Sequence, residues 1–339
     1  MAKPKLKALK KYAKKYGDER EYVDYLQTLA SAPENGFMFH FPNQMSEHHS
    51  NVIIELMNFC QSVGVSFIPN TPESFHLFLT VMREQGIIER LERVELYLCA
   101  GLEDVLLEFG DMLVHSNIKM SGIKLHDSYP AELLVQFFSK FAEKPNHFDF
   151  SVKSPQSAEI VERNVAVFQQ IVPLMTGTKL LNLTHLFSTT GSVNAFVSLV
   201  PETLVGLNIS ACPIDGTTIE TLKTLTGLTM LDVSKCQSSR VLEFFECTHL
   251  KNLYVNHNPV DKADLRALVQ RLPTIQIQDV SIAYCGVDQE VVELLQTVFT
   301  ENNTFTVKTL EISQINHILF KDLFVRLQSL ADSKGVMIA

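Results

Sequence analysis

The chain contains no tryptophan, and five short signatures of catalysis are missing as well. There is no G-x-x-x-x-G-K-[ST] loop to cradle phosphates, no G-x-G-x-x-G turn for a dinucleotide and no H-E-x-x-H pair for a hydrolytic metal. C-x-x-C and G-x-S-x-G are absent too, so redox pairs and strained serine nucleophiles have no marker. No apolar run reaches the ~18 residues that a membrane-spanning helix needs. The lysine-rich start is not followed by the apolar core of a secretory signal. Six cysteines, Cys60, Cys99, Cys212, Cys236, Cys247 and Cys285, fall at no short disulfide-like spacing. A chain folding in the cytosol, with reduced thiols, is the expectation.

What is present suits a folded chain. Hydrophobic residues make up 46% and charged residues 20% of the 339, which argues against wholesale disorder. Net charge is −9, distributed unevenly: residues 1–20 hold eight basic and two acidic side chains, +6, leaving −15 for the rest. An acidic body argues against a nucleic-acid groove and favours a basic or polar protein partner. The lysine-rich residues 3–15 read as the solvated face of a helix, as an anionic membrane or partner contact, or as a targeting or nucleic-acid element. Asn182-Leu183-Thr184, Asn208-Ile209-Ser210 and Asn302-Asn303-Thr304 match the glycosylation pattern, but two of them lie inside expected strands, so chance is the better reading.

The dominant feature is periodic. Short stretches with apolar residues two apart recur, each followed by a loop and an amphipathic helix. The first apolar residues of the pairs are Val94, Ile123, Phe148, Leu181, Leu207, Leu231, Leu253, Val280 and Leu310, a mean step of 27 residues. Fainter copies precede them at Phe39-x-Phe41 and Val65-x-Phe67, and Val336-x-Ile338 follows. Between strands, sets such as Leu133, Leu134, Phe137, Phe138 and Phe141, or Leu265, Leu268, Val269 and Leu272, keep helical spacing. Thr71-Pro72 and Ser154-Pro155 pair a capping hydroxyl with a first-turn proline and are expected helix starts.

The copies Leu204-x-x-Leu207-x-Ile209-x-x-Cys212, Leu228-x-x-Leu231-x-Val233-x-x-Cys236 and Leu250-x-x-Leu253-x-Val255-x-x-Asn258 resemble the leucine-rich repeat. Their length is most similar to the ribonuclease-inhibitor-like long form. The resemblance implies an α/β solenoid, a horseshoe with a parallel sheet on the concave face and helices on the convex face. Residues 37–339 would hold about 11–12 units, the first two and the last irregular, closed by a helical cap over 1–36. It also implies that Cys99, Cys212, Cys236, Asn258 and Cys285, all at one place in the repeat, form a structural ladder bonding inward to loop backbone. Cys60 reads as helix core. The cluster Glu47, His48 and His49 has no ligand spacing and reads as a loop, so no metal and no cofactor are expected.

Side chains alternate along a strand, so residues between the apolar ones face the other way. They are Glu95 and Tyr97; Lys124 and His126; Asp149 and Ser151; Asn182 and Thr184; Asn208 and Ser210; Asp232 and Ser234; Tyr254 and Asn256; Ser281 and Ala283; Glu311 and Ser313. This column is the expected partner-binding surface, with Tyr97 and Tyr254 as anchors because tyrosine supplies contact area at small entropic cost. Binding through loops, helices or an end is the alternative. The reading is a non-enzymatic intracellular scaffold binding a protein partner, as adaptor, inhibitor or regulator. The resemblance leaves three alternatives: a pathogen effector acting on host proteins, a GTPase activator, or a ubiquitin-ligase substrate-recognition subunit.

Overall fold

The structure, a computed structural model, describes residues 37–41, 63–67, 72–84, 86–96, 103–115, 130–140, 147–150, 157–312 and 321–339. The expected cap over 1–36, the Glu47–His49 cluster, Cys60, Tyr97, Cys99, Ile123, Lys124 and His126 lie outside these residues, as do Ser151 and Ser313. The chain divides into two compact units, Met1–Phe148 and Asp149–Ala339.

In the first unit a three-stranded parallel sheet runs β1 (Phe37–Phe41), β2 (Val63–Phe67), β3 (Leu91–Leu96). Its register matches Phe39 to Val65 and Val65 to Val94, so the two faint copies align with the first clear one. Glu95 is placed on β3 beside Val94. Helices α1 (Pro72–Glu84), α2 (Glu103–His115) and α3 (Ala131–Ser139) carry this unit's core, and α1 begins at the expected proline. Phe75 meets Phe109 edge-on at 5.7 Å, Phe109 stacks on Phe137 at 6.4 Å, and Phe137 meets Phe138 at 5.2 Å. Offset and edge-on pairs of this kind add to the area that each ring buries.

An eight-stranded parallel sheet follows in chain order. Its strands are β4 (His147–Asp149), β5 (Leu180–Asn182), β6 (Gly206–Asn208), β7 (Met230–Asp232), β8 (Asn252–Tyr254), β9 (Asp279–Ser281), β10 (Thr309–Glu311) and β11 (Met337–Ile338). Leu181 pairs with Leu207, Leu207 with Leu231, Leu231 with Leu253, Leu253 with Val280, Val280 with Leu310 and Leu310 with Ile338. These central residues are buried while most of their strand neighbours are partly exposed, the alternation that a half-buried strand requires. A one-residue slip would turn the whole apolar row to solvent, so the periodicity sets the register.

Parallel neighbours need a crossover, and the return segments supply it. They are α4 (Ala158–Ile171), α5 (Thr190–Val197), α6 (Gly216–Thr224), α7 (Lys262–Arg271), α8 (Gln289–Glu301) and α9 (Lys321–Asp332). Side-chain oxygens of Ser157, Thr189, Asp215, Asp261 and Asp288 accept from backbone N–H groups in the first turns of α4 to α8. The start expected at Ser154-Pro155 lies outside the described residues; the cap of α4 is Ser157, whose Oγ accepts from Ile160 N–H at 3.4 Å. One return differs in kind. Leu231 and Leu253 are only 22 residues apart, and Ser239–Glu246 closes that step as a 3-10 helix. This strand–loop–helix stack is a leucine-rich-repeat type of α/β solenoid fold. Among the described residues no helix is long and apolar enough to cross a membrane.

Candidate functional site

The turn after each strand has to satisfy backbone carbonyls that burial removes from water. Cys212 Sγ donates to Leu183 O at 3.3 Å, Cys236 Sγ to Ile209 O at 3.3 Å and Cys285 Sγ to Val255 O at 3.1 Å. Asn258 Nδ2 donates to Val233 O at 2.9 Å and to Val255 O at 2.8 Å. Each of these side chains thus reaches the strand-end carbonyl of the unit before it, and Asn258 also reaches its own. Burial pushes the Cys212 thiol up to about 11 and raises Cys236 and Cys285 as well. A protonated, enclosed thiol is a poor nucleophile. Brief iodoacetamide treatment of the native protein followed by peptide mass mapping is expected to leave Cys212, Cys236 and Cys285 unmodified. Full labelling should need denaturant.

One residue earlier in the turn stands a second column. His185, Ala211, Lys235, His257 and Tyr284 all have left-handed backbone, with φ between 57° and 61°. None is glycine or asparagine, so each costs on the order of 1 kcal/mol. The conformation turns each N–H to the next unit: His185 N donates to Ser210 O at 3.0 Å, Ala211 N to Ser234 O at 2.7 Å, Lys235 N to Asn256 O at 2.7 Å and His257 N to Ala283 O at 2.9 Å. Backbone pairing across units therefore continues past the strands and holds these side chains at the strands' C-terminal ends.

Beside this column lies the expected face. Asn182, Asn208 and Asp232 are half-buried and do one job in three successive units. Their Oδ1 atoms accept from the N–H two residues on, Thr184 at 3.2 Å, Ser210 at 2.8 Å and Ser234 at 2.9 Å. Thr184 Oγ1 also bonds Asn182 Oδ1 at 2.8 Å and lies 3.0 Å from Ser210 Oγ. Asn256 takes a different role, its Oδ1 accepting from Ala283 N–H at 2.7 Å. Ser281 Oγ lies 2.5 Å from both Asn256 Oδ1 and Glu311 Oε2, so its one proton serves one of them at a time.

A hollow of about 350 Å³ opens where the two columns meet. Of the residues expected on the face, Thr184, Ser210, Asp232, Ser234, Asn256, Ala283 and Glu311 line it. Asp149, Asn182, Asn208 and Tyr254 are half-buried on their strands and do not. Two members of the column are corrected: Ser281 is 1% and Ala283 2% exposed, so neither offers contact surface in quantity. The other wall is the left-handed column, which the alternation rule does not reach. There His257 and Tyr284 stack with ring centroids 4.1 Å apart and planes 6° from parallel, and Tyr284 is 47% exposed. A third row, at the first position of each strand, also escaped the sequence reading. In it Leu180 and Met230 lean over Gly206, where an added Cβ would come within 2.5 Å of Leu180 Cδ2.

Burial raises the Asp232 carboxyl above its ordinary range. A carboxyl raised in the folded state holds its proton longer than the unfolded chain does, so stability falls as pH rises from the unfolded value through the folded one. Asp232→Asn keeps the Oδ1 acceptor and removes the desolvated charge. Its melting temperature is expected to exceed that of the parent at pH 7, and the gain should vanish below about pH 4, where both states are protonated. Thermal melts of the two proteins across that range check the slope.

No protein-family model matches the chain, and no curated protein matches its sequence. Among solved structures it is similar to the leucine-rich repeat-containing protein LegL7 from Legionella pneumophila, at 14% identity and a TM-score of 0.46, over 65% of this chain and 72% of that one. It is also similar to a chain of the Rad7 and Elc1 complex of yeast, at 11% identity and a TM-score of 0.37, over 78% of this chain and 79% of that one.

Proposed function

On a leucine-rich-repeat fold of this kind, we propose that the chain is a non-enzymatic scaffold that holds a protein partner at the C-terminal ends of strands β5 to β10. One observation carries the reading: five consecutive units keep a left-handed, non-glycine residue at the same turn position, and four of those side chains are histidine, lysine or tyrosine. Strain repeated at one position presents side chains at fixed places, and pre-organised groups lose little entropy on binding. The stacked His257–Tyr284 pair supplies a rigid anchor of the kind found at interaction hot spots. The small hydroxyls of Thr184 and Ser210 leave room for a partner's backbone.

Affinity capture from the source cell, quantified by mass spectrometry, tests this with two matched variants. Tyr284→Ala with Lys235→Ala alters the hollow's rim; Arg266→Ala with Glu293→Ala alters the helical side. A partner lost by the rim variant and retained by the helix variant supports the proposal. Retention by the rim variant and loss by the helix variant would move the binding surface to the other side of the sheet.

A further inference from the structure

We infer that the hollow anchors a cationic side chain, an arginine of a basic segment in the bound protein, with Asp232 as its counter-ion. This rests on the scaffold reading above and names the partner's chemistry. The charge of Asp232 is redundant for the fold. Asn182 and Asn208 occupy the same repeat position as Asp232 and cap the same backbone N–H two residues on. An amide does that work without charge, so the carboxylate of Asp232 is surplus to the fold.

The surplus charge also has no cation beside it among the described residues; hydrogen bonds from Ser234 alone support it. Burial disfavours it, and no cation offsets that effect. Lys235 lines the same hollow, yet neither it nor any other described basic group forms an ion pair with Asp232. A second observation comes from Ser234. It is 9% exposed and lines the hollow; its Oγ helps to hold the Asp232 carboxylate charged, and among the described residues it accepts a hydrogen bond from no group. Its lone pairs stay open to an arriving donor. The hollow thus presents an unpaired anion and an unused acceptor together, and a guanidinium supplies a positive charge with several donors in one plane. The stacked His257–Tyr284 pair adds a flat wall against which a guanidinium or its aliphatic stem packs. An ammonium fits the charge and makes poor use of that wall.

The test uses the full chain and fluorescein-labelled peptides of alternating glycine with arginine, lysine or glutamate, at about 0.1 M salt so that long-range attraction is screened. Fluorescence anisotropy is read for the parent, for Asp232→Asn and for Glu301→Gln, which removes one exposed carboxylate from the end of α8; melting curves first establish that all three fold. The arginine peptide is expected to bind the parent and Glu301→Gln alike, the lysine peptide more weakly, and Asp232→Asn to bind arginine at least about tenfold more weakly. Equal weakening by both variants, or none by Asp232→Asn, overturns the inference, because the attraction would then belong to the acidic body as a whole. Binding of the glutamate peptide instead overturns it in favour of an anion held by Lys235 and the histidines. If no peptide binds while the rim variant still loses the captured partner, this inference fails and the scaffold reading stands.

Discussion

Asn258→Leu is expected to lower the stability of the second unit by about 3–5 kcal/mol, because it strips donors from two buried carbonyls at ~1–3 kcal/mol each and also removes an acceptor. The donors are the two Nδ2 bonds to Val233 O and Val255 O, and the acceptor is Oδ1, which receives Ser238 N–H at 3.4 Å. Asn258 is only 3% exposed, so water cannot replace them. Leucine is close in volume, which confines the loss to polar groups. Asn258→Cys should recover part of it, since Cys236 and Cys285 each satisfy one preceding carbonyl in neighbouring units. Urea unfolding followed by circular dichroism would rank the parent, the cysteine variant and the leucine variant in that order. A leucine variant within about 1 kcal/mol of the parent would mean that the ladder is not holding the turns.

Phe168→Ala should cost a comparable amount, about 3–5 kcal/mol, from lost burial and the cavity left behind. Phe168 of α4 is the hub of the aromatic cluster at the start of the second unit. Its ring meets Phe150 at 4.9 Å, Phe196 at 5.9 Å and Phe187 at 6.0 Å, each close to perpendicular. Phe187 and Phe196 meet each other at 5.5 Å, so the cluster loses its centre while one pair survives. Phe168→Leu keeps most of the volume and should cost roughly half as much, the remainder being edge-on ring contacts worth ~0.5–1.5 kcal/mol per pair. Near-equal losses for alanine and leucine, measured by the same unfolding curves, would assign the stability to ring geometry instead of filled volume.

The strand ladder was legible in the sequence because burial imposes a period of two and stacking imposes a recurring length. Leu181, Leu207, Leu231, Leu253, Val280 and Leu310 are identifiable from spacing alone, and they pair across the sheet in that order. The turn residues Cys212, Cys236, Asn258 and Cys285 were visible through their shared place in the repeat, and their role through the resemblance to the leucine-rich repeat; the side chain recurs there because one carbonyl per unit needs a donor. The candidate site was less legible. His185, Ala211, Lys235, His257 and Tyr284 share a backbone conformation and no side-chain property. Glycine or asparagine would have marked the left-handed turn, but cross-unit N–H bonds hold it here with other residues. Ser281 and Ala283 illustrate the limit of alternation: it gives the direction of a side chain, not what covers it. The polar cross-links between Asn256, Ser281 and Glu311 form only when three units stack. The 3-10 return at Ser239–Glu246 answers to the short 22-residue step from Leu231 to Leu253, which leaves too few residues for a full return helix.

Lysine footprinting of the assembled complex reads directly where the partner sits. Free and partner-bound protein are acetylated briefly and compared by peptide mass mapping. Lys235 is exposed on the rim of the hollow, Lys251 is exposed just before β8, and Lys262 is exposed on α7. Strong protection of Lys235 with Lys262 unchanged is the predicted result. Lys235 equally reactive in both states, with protection at Lys262, would place the partner on the helices and contradict the account.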